Sequence, residues 1–481
     1  QFATAKSGAI LVNINPAYRL HELEFTLQQS ECNVLMIGEG FKDADYAKMA
    51  LELVPELGGS DTRSDFSSRK FPHLRRMISL QDHERPGILP YGAFVAMGES
   101  VSARQLAERQ AALGFDEVIN IQYTSGTTGF PKGAMLTHQG ILNNGFWVGE
   151  KMRFTHDDRL CIPVPFYHCF GMVLGNLACV THGAAMILPA PHFSALSTLQ
   201  AVAAEKCTAL HGVPTMFVAE LNHPEFKSFD LSTLRTGIMA GAPCPVEVMK
   251  RVIDEMHCRQ ITIACGMTET SPVCNQTEPD DPIEVRVGTV GRVMPHQEQK
   301  VVDPESGRIL PRGEPGELCY RGYHVMRGYY NNPEATRQTI DGEGWLHGGD
   351  LAVMDEQGYV RITGRLKDMI CRGGEKIFPR EVEEFLFTNP RIAEAYVIGV
   401  PDDYYGEEVM AWVRLKEPGS MSAEEVRAFC KGKIMDYKIP KYVKFVSEFP
   451  TTVTGKIQKY KMREISSREL GLDLPSKTKV A

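Results

Sequence analysis

The apolar run from Val118 to Ile121 leads directly into Tyr123-Thr124-Ser125-Gly126-Thr127-Thr128-Gly129-Phe130-Pro131-Lys132-Gly133. Three glycines in this stretch let backbone amides approach an anion, four short hydroxyl side chains can donate to phosphate oxygens, and Lys132 supplies the counter-charge. The spacing is not that of a Walker A loop, because no GxxxxGK[ST] register fits. A polar hairpin turn accounts for the glycines equally well. Glycine content alone therefore leaves two readings, a phosphate loop and a turn.

On either side of this stretch the apolar residues follow a βαβ rhythm. Ala9 to Val12 reads as a buried strand, Leu20, Leu23 and Leu27 mark one face of a helix, and Val34 to Ile37 reads as the next strand, which implies parallel sheet. Residues 56–72, rich in Gly, Ser, Asp and Arg, read as an exposed loop or insertion. The rhythm resumes at Val118 to Tyr123 and continues to about residue 280. From about 286 onward, short β-runs separated by the turn signals Glu305-Ser306-Gly307 and Glu356-Gln357-Gly358 predict a β-rich subdomain. After Gly364 the pattern predicts a helix over 380–388 with Val382, Phe385 and Leu386 on one face. Strands follow at 396–400 and 409–415, then a helix opened by Ser422 with Glu425 in the capping-box position. This last part has an α+β composition. No internal repeat, low-complexity tract or long linker interrupts the chain, so a hinge between its parts is short.

Composition narrows the function classes. The chain has 481 residues, 43% hydrophobic and 23% charged, enough for more than one core. A net charge of -8 gives no global basic field for nucleic acid or an anionic membrane, and the basic tail at Lys477 and Lys479 is too short to change that. Twelve cysteines, none in a CxxC pair, read as reduced core residues of a cytosolic or matrix-like compartment. The longest apolar stretch, Met172 to Ala190, is broken by Asn176, Thr181 and His182 and suits a buried helix and strand better than a membrane span. The chain begins at Gln1 without a signal-peptide pattern and reads as lacking its true N-terminus. The expected location is the cytoplasm, or the mitochondrial matrix if a targeting peptide stands on the missing part.

The whole string from Tyr123 to Gly133 resembles the signature of the adenylate-forming enzymes, the superfamily of acyl-CoA synthetases, firefly luciferase and nonribosomal-peptide adenylation domains. The resemblance covers nearly the whole chain, with the motifs in the family's order, and favours the phosphate loop over the turn. It implies an α/β fold: a large N-terminal domain of parallel βαβ sheets with a β-rich subdomain (1–366), a hinge at Lys367, and a small mobile α+β C-terminal domain (367–481). Thr124 to Lys132 would bind the phosphates of ATP. Met239-Ala240-Gly241-Ala242-Pro243 resembles the turn that carries adenine. In Cys265-Gly266-Met267-Thr268-Glu269-Thr270, Thr268 would bind the α-phosphate and Glu269 would help to hold Mg²⁺, which prefers hard oxygen ligands shared with phosphates. Cys265 stands where the family usually has an aromatic ring against the adenine.

Further along, Gly344 to Asp350 resembles the segment whose aspartate binds the ribose hydroxyls, and Gly364-Arg365-Leu366-Lys367-Asp368 the arginine and hinge motif. Arg372-Gly373-Gly374 would line the coenzyme A thiol tunnel. Lys456, after Thr454-Gly455, would bridge the acyl carboxylate and the nucleotide during adenylation, where negative charge must be held as pyrophosphate departs. Pro165 to Met172 resembles the segment in which His168 lies beside the substrate carboxyl and the helix with Gly171 walls the pocket. His211 and the residues after it would supply the opposite wall. A satisfied core histidine is the rival reading of His168.

Through Arg321-Gly322-Tyr323 to Gly328-Tyr329-Tyr330 and the stretch Cys430-Lys431-Gly432-Lys433-Ile434, the chain resembles the medium-chain fatty acyl-CoA ligases, with aromatic acids and longer fatty acids left open. The resemblance implies that a carboxylic acid and ATP give acyl-AMP and pyrophosphate, and that acyl-AMP and coenzyme A then give acyl-CoA and AMP. The C-terminal domain would rotate about Lys367 between the two steps. The implied cofactors are ATP, Mg²⁺ and coenzyme A, the expected partners are these and a fatty acid, and a homo-oligomer is compatible with the motifs. Alternatives are a ligase that loads a carrier protein, a luciferase-like oxygenase, and a nucleotide-binding relative that has lost catalysis.

Overall fold

The computed structural model describes residues 1–59, 61–62, 64–82, 85–124, 131–242, 244–451 and 457–472. Its largest sheet has seven strands, in the spatial order Ala185–Ile187, Arg159–Cys161, Ala209–Gly212, Thr236–Ala240, Gln260–Gly266, Val273–Gln276 and Arg292–Val293. The first five run parallel, Val273–Gln276 pairs antiparallel with the fifth, and Arg292–Val293 pairs antiparallel with Val273–Gln276. Alternate residues of one strand serve opposite faces. Ile238 and Ala240 join an apolar cluster with Val148, Val173 and Leu177, while Met239 joins another with Leu199, Phe217 and Met249. Helices such as His138–Lys151 and Val246–Glu255 cover the two faces, which is why these strands read as continuous apolar runs.

Two smaller sheets hold the first part of the chain. Leu11–Asn13 pairs in parallel with Val118–Thr124, which pairs antiparallel with Lys132–Thr137. Val34–Ile37 pairs in parallel with Arg76–Ser79. The expected strand Ala9 to Val12 is therefore shifted to Leu11–Asn13, with Ile10 46% exposed. The two early strands also belong to different sheets rather than to one βαβ unit. Local periodicity carries no information about a partner strand far along the chain. Helix Leu20–Gln29 does bury Leu23 and Leu27 as its spacing predicts. The segment 56–72 is not wholly exposed, because Leu57, Phe66 and Phe71 are buried and pin it to the core.

The β-rich part is a four-stranded antiparallel sheet, Gln297–Val302, Pro315–Gly322, Leu346–Met354 and Val360–Arg365, with the predicted turns at 305–307 and 356–358 joining strands. Beyond it, strands Ile392–Asp402 and Gly406–Leu415 pair antiparallel, and helix Pro379–Phe387 lies on them through Val382 and Leu386. Helix Ala423–Cys430 has its capping box: Ser422 Oγ accepts from the Glu425 N–H at 3.2 Å, and the Ser422 N–H donates to Glu425 Oε2 at 2.8 Å. Helix Lys459–Leu470 is tied to the same sheet where Trp412 Nε1 donates to Ser466 Oγ at 2.9 Å.

All twelve cysteines are free thiols. Met172 to Ala190 falls in the π-helical segment Phe170–Leu177, helix Ala178–His182 and strand Ala185–Ile187. Among the described residues no helix is long and apolar enough to cross a membrane.

Candidate active site

Thr124 and Lys132 face each other across the antiparallel pair, Thr124 at the end of one strand and Lys132 at the start of the next. Ser125, Gly126, Thr127, Thr128, Gly129 and Phe130 lie outside the described residues, and Pro131 just precedes Lys132. The Lys132 ammonium stands 4.7 Å from the centre of the Tyr329 ring. Burial, and secondarily the nearby Lys367 cation, hold the Lys132 pKa below the ordinary lysine range, while the Glu269 carboxylate opposes both. The phosphate-loop lysine, the hinge lysine and the metal-binding carboxylate of the sequence reading therefore share one electrostatic neighbourhood.

Glu269 sits on the short turn Thr268–Thr270, directly after strand Gln260–Gly266. The turn is fixed from within, since the Met267 N–H donates to Thr270 Oγ1 at 3.2 Å and Thr270 Oγ1 donates to the Pro272 carbonyl at 2.7 Å. A side chain at Gly266 would place Cβ 1.9 Å from the Pro272 carbonyl oxygen, so the backbone approach requires glycine. Tyr329 donates its hydroxyl to Glu269 Oε1 at 2.6 Å.

At the end of strand Thr236–Ala240, Gly241 has φ +89° and lies over Val213. Ala242 beside it is exposed, and Pro243 lies outside the described residues. Burial pushes the Cys265 thiol up to about 12, so it is a poor nucleophile despite its place in the site. Asp350 and Arg365 contribute to the field at Cys265. These two are register partners on adjacent strands, and Arg365 Nε donates to Asp350 Oδ1 at 2.8 Å. The Asp350 charge raises the Arg365 pKa.

Sequence reasoning assigned no role to Glu317. Its carboxylate accepts from the Gly349 N–H at 3.1 Å and from His347 Nδ1 at 2.8 Å, and so holds the segment that carries Asp350. Among the described residues, Glu317, Cys319 and His347 form the one group of metal-ligand type whose atoms lie within 4.8 Å of one another. Here they bond to each other, with Cys319 Sγ 3.4 Å from His347 Nδ1.

Lys367 lies in the turn Leu366–Asp368, and its carbonyl accepts from Arg463 Nη1 at 3.3 Å. Gly373 (φ +58°) and Gly374 (φ +93°) form the tip between strands Ile370–Arg372 and Glu375–Ile377. The Gly373 N–H donates to the Tyr405 carbonyl at 2.8 Å, and Arg372 bonds Glu408 while its guanidinium stacks 3.8 Å over the Tyr405 ring. Lys376 reaches Glu305 at 2.5 Å, linking this hairpin to a turn of the β-rich sheet. Lys456 lies outside the described residues.

The two candidate substrate histidines differ. His168 is exposed and accepts the Phe170 N–H on Nδ1 at 3.1 Å, so it is not a core histidine. Gln122, on the strand that leads into the phosphate loop, donates to the carbonyl of the adjacent Tyr167. Gly171 packs so closely that a Cβ would come within 2.5 Å of the Pro165 carbonyl oxygen. His211 is fully buried, donates from Nε2 to the Leu174 carbonyl at 3.1 Å, and is lowered by burial to about 4, hence neutral. Its ring lies 5.5 Å from that of Phe170.

Known proteins are similar to this chain in sequence and fold. A family model described as AMP-binding enzyme matches residues 1–330, and one described as AMP-binding enzyme C-terminal domain matches residues 381–456. YngI of Bacillus subtilis, which bears an acyl-CoA synthetase name, is 53% identical over 464 residues, 96% of this chain and 84% of that protein. The mitochondrial medium-chain acyl-CoA ligase ACSF2 of Danio rerio is 45% identical over 474 residues, 98% of this chain and 78% of that protein. Among solved structures, ATP-bound MatB from Rhodopseudomonas palustris is 29% identical with a TM-score of 0.79, covering 97% of this chain and 86% of that one. Apo MatB, 28% identical with the same coverage of 97% and 86%, scores 0.67. The chain belongs to the AMP-binding family of adenylate-forming enzymes and is an ATP-dependent acyl-CoA synthetase, joining a carboxylic acid to coenzyme A.

Proposed function

We propose that the acid is a medium-chain fatty acid and that the site residues take the roles their motifs imply. The observation that carries the chain-length reading is similarity over 98% of the chain to ligases named for medium-chain acids. Half-buried Phe166, Val213 and Met216 pack against the apolar cluster that contains Cys169 and Phe170 and suit a hydrocarbon tail better than a polar acid.

In this reading Thr124 to Lys132 and Thr268 hold the phosphates, and Gly241, Ala242, Pro243, Cys265 and Gly266 form the adenine site. Asp350 accepts from the ribose hydroxyls, with Arg365 fixed beside it by their ion pair. Glu269 suits Mg²⁺, because Tyr329 occupies Oε1 and no donor among the described residues occupies Oε2. When bound, the ion neutralises phosphate charge. His168 lies beside the acid carboxylate. A carboxylate oxygen attacks the α-phosphorus, the α–β bridge breaks, and pyrophosphate leaves while Lys456 holds the developing negative charge. The coenzyme A thiolate, entering past Arg372, Gly373 and Gly374, then attacks the acyl carbonyl, and AMP departs with the bonding pair.

Residues 1–366 and 367–481 are the two bodies that move about Lys367 between these steps. The higher TM-score with ATP-bound than with apo MatB supports an arrangement of the two parts that depends on nucleotide. Free thiols throughout fit a reducing compartment, the cytoplasm or the mitochondrial matrix.

The test is kcat/KM for butyrate, octanoate, palmitate and benzoate with saturating Mg-ATP and coenzyme A. Octanoate is expected to lead. A preference for palmitate or benzoate overturns the chain-length assignment.

A further inference from the structure

Backbone bonds on both sides of Tyr329 fix its segment, and its side chain makes two contacts in the candidate site. The Met135 N–H donates to the Gly328 carbonyl at 2.9 Å, and the Tyr330 N–H donates to the Gly133 carbonyl at 2.8 Å. Residues 328–330 thus lie along the strand Lys132–Thr137, with Tyr329 bridged to Ala134. Two residues before Gly328, the Met326 N–H donates to the Glu269 carbonyl at 2.9 Å. One short segment therefore ties the turn of Glu269 to the strand of Lys132. From its middle the Tyr329 side chain, only 6% exposed, donates to Glu269 Oε1 at 2.6 Å and presents its ring to the Lys132 ammonium at 4.7 Å.

A phenol at neutral pH is a donor to a carboxylate, and a donor on one oxygen fixes the rotation of the whole carboxylate group. The ring face attracts the lysine without consuming its protons, which stay available for phosphate oxygens. We propose that Tyr329 is a positioning residue for adenylation: its hydroxyl orients Glu269 toward the metal of Mg-ATP, and its ring holds Lys132 beside the same phosphates. The proposal rests on the reading of Glu269 as the magnesium carboxylate. A partner that orients a metal-binding carboxylate typically changes metal affinity about 10–100-fold when lost.

Tyr329→Phe keeps the ring and the backbone and removes only the hydroxyl. Binding of the non-cleavable α,β-methylene analogue of ATP would be measured by calorimetry across a magnesium series, with Mn²⁺ in place of Mg²⁺ followed by electron paramagnetic resonance. The same series would be run on Glu269→Gln and on the double variant, with thermal melts to verify folding. The metal concentration for half-maximal analogue binding is expected to rise about tenfold or more in Tyr329→Phe. No further rise is expected when the change is added to Glu269→Gln, because the two residues act as one unit. Transfer from preformed acyl-adenylate to coenzyme A should stay within about twofold of the parent, since no phosphate chain is then present. An unchanged metal requirement in folded Tyr329→Phe, while Glu269→Gln shifts it, overturns the role of Tyr329 alone. An equal effect of the phenylalanine in both backgrounds overturns it as well. A metal requirement that Glu269→Gln leaves unmoved removes the metal role of Glu269, and the proposal with it.

Discussion

Arg365 Nε lies 2.8 Å from Asp350 Oδ1, and the two residues are direct cross-strand partners at the edge of the proposed nucleotide site. The pair fixes the orientation of a carboxylate that is itself 5% exposed, and in the proposed site its remaining acceptor capacity serves the ribose hydroxyls.

Asp350→Asn removes the ionised acceptor while nearly conserving shape. Losing a hydrogen bond to a charged group is worth about 1.5–3 kcal/mol, so KM for ATP is expected to rise about 10–100-fold with KM for coenzyme A unchanged. Steady-state kinetics checks this, and an unaltered KM for ATP in a folded variant would take the ribose role away from Asp350.

The proposed roles of Lys456 and Gly374 separate the two half-reactions. Lys456→Ala is expected to abolish acid-dependent pyrophosphate release while sparing thioester formation from preformed acyl-adenylate. Gly374→Val is expected to do the reverse, because a branched side chain at φ +93° strains the hairpin tip and, in the proposed role, intrudes on the thiol path. Equal loss of both half-reactions in either variant would mean that the residue serves the fold or both steps rather than one.

His324 supplies a pH dependence of stability. It is fully buried against Tyr320 and Tyr323, and among the described residues neither ring nitrogen has a partner. Burial lowers its pKa to about 3 from 6.5. The folded state therefore refuses a proton that the unfolded state accepts. Stability from this group is complete above pH 6.5 and falls as the pH drops toward 3. His324→Leu should flatten the acid limb of the stability curve and leave stability at alkaline pH equal or higher, since an unpaired polar group is removed. Chemical denaturation across pH checks it, and an acid limb as steep as the parent's would show that other groups govern it.

Much of the fold was legible wherever a local rule operated. The capping box at Ser422 and Glu425, the face of helix Leu20–Gln29 and the turns at 305–307 and 356–358 follow from spacing within a few residues. Strand partnership did not follow, as Leu11–Asn13 shows by pairing with Val118–Thr124 rather than with the next strand along. The site divides in the same way. Asp350 and Arg365, like Lys132 and Glu269, were nominated by their motifs, and the fold brings the members of each pair together. Tyr329 and Glu317 were missed as site residues because each acts through another side chain. Tyr329 stands in the run Gly328-Tyr329-Tyr330. Nothing in a tyrosine of a Gly-Tyr-Tyr run announces a hydrogen bond to a carboxylate 60 residues earlier. His211 illustrates the converse: a histidine named as a candidate pocket residue is fully buried, donating to the Leu174 carbonyl.

The most direct test of an acyl-adenylate route is to supply octanoate labelled with heavy oxygen in its carboxylate, together with Mg-ATP and coenzyme A, and to read the products by mass spectrometry. Attack of the carboxylate on the α-phosphorus predicts one labelled oxygen in each AMP, formed in equal amount with octanoyl-CoA. Unlabelled AMP, or release of ADP and phosphate in its place, would contradict the mechanism.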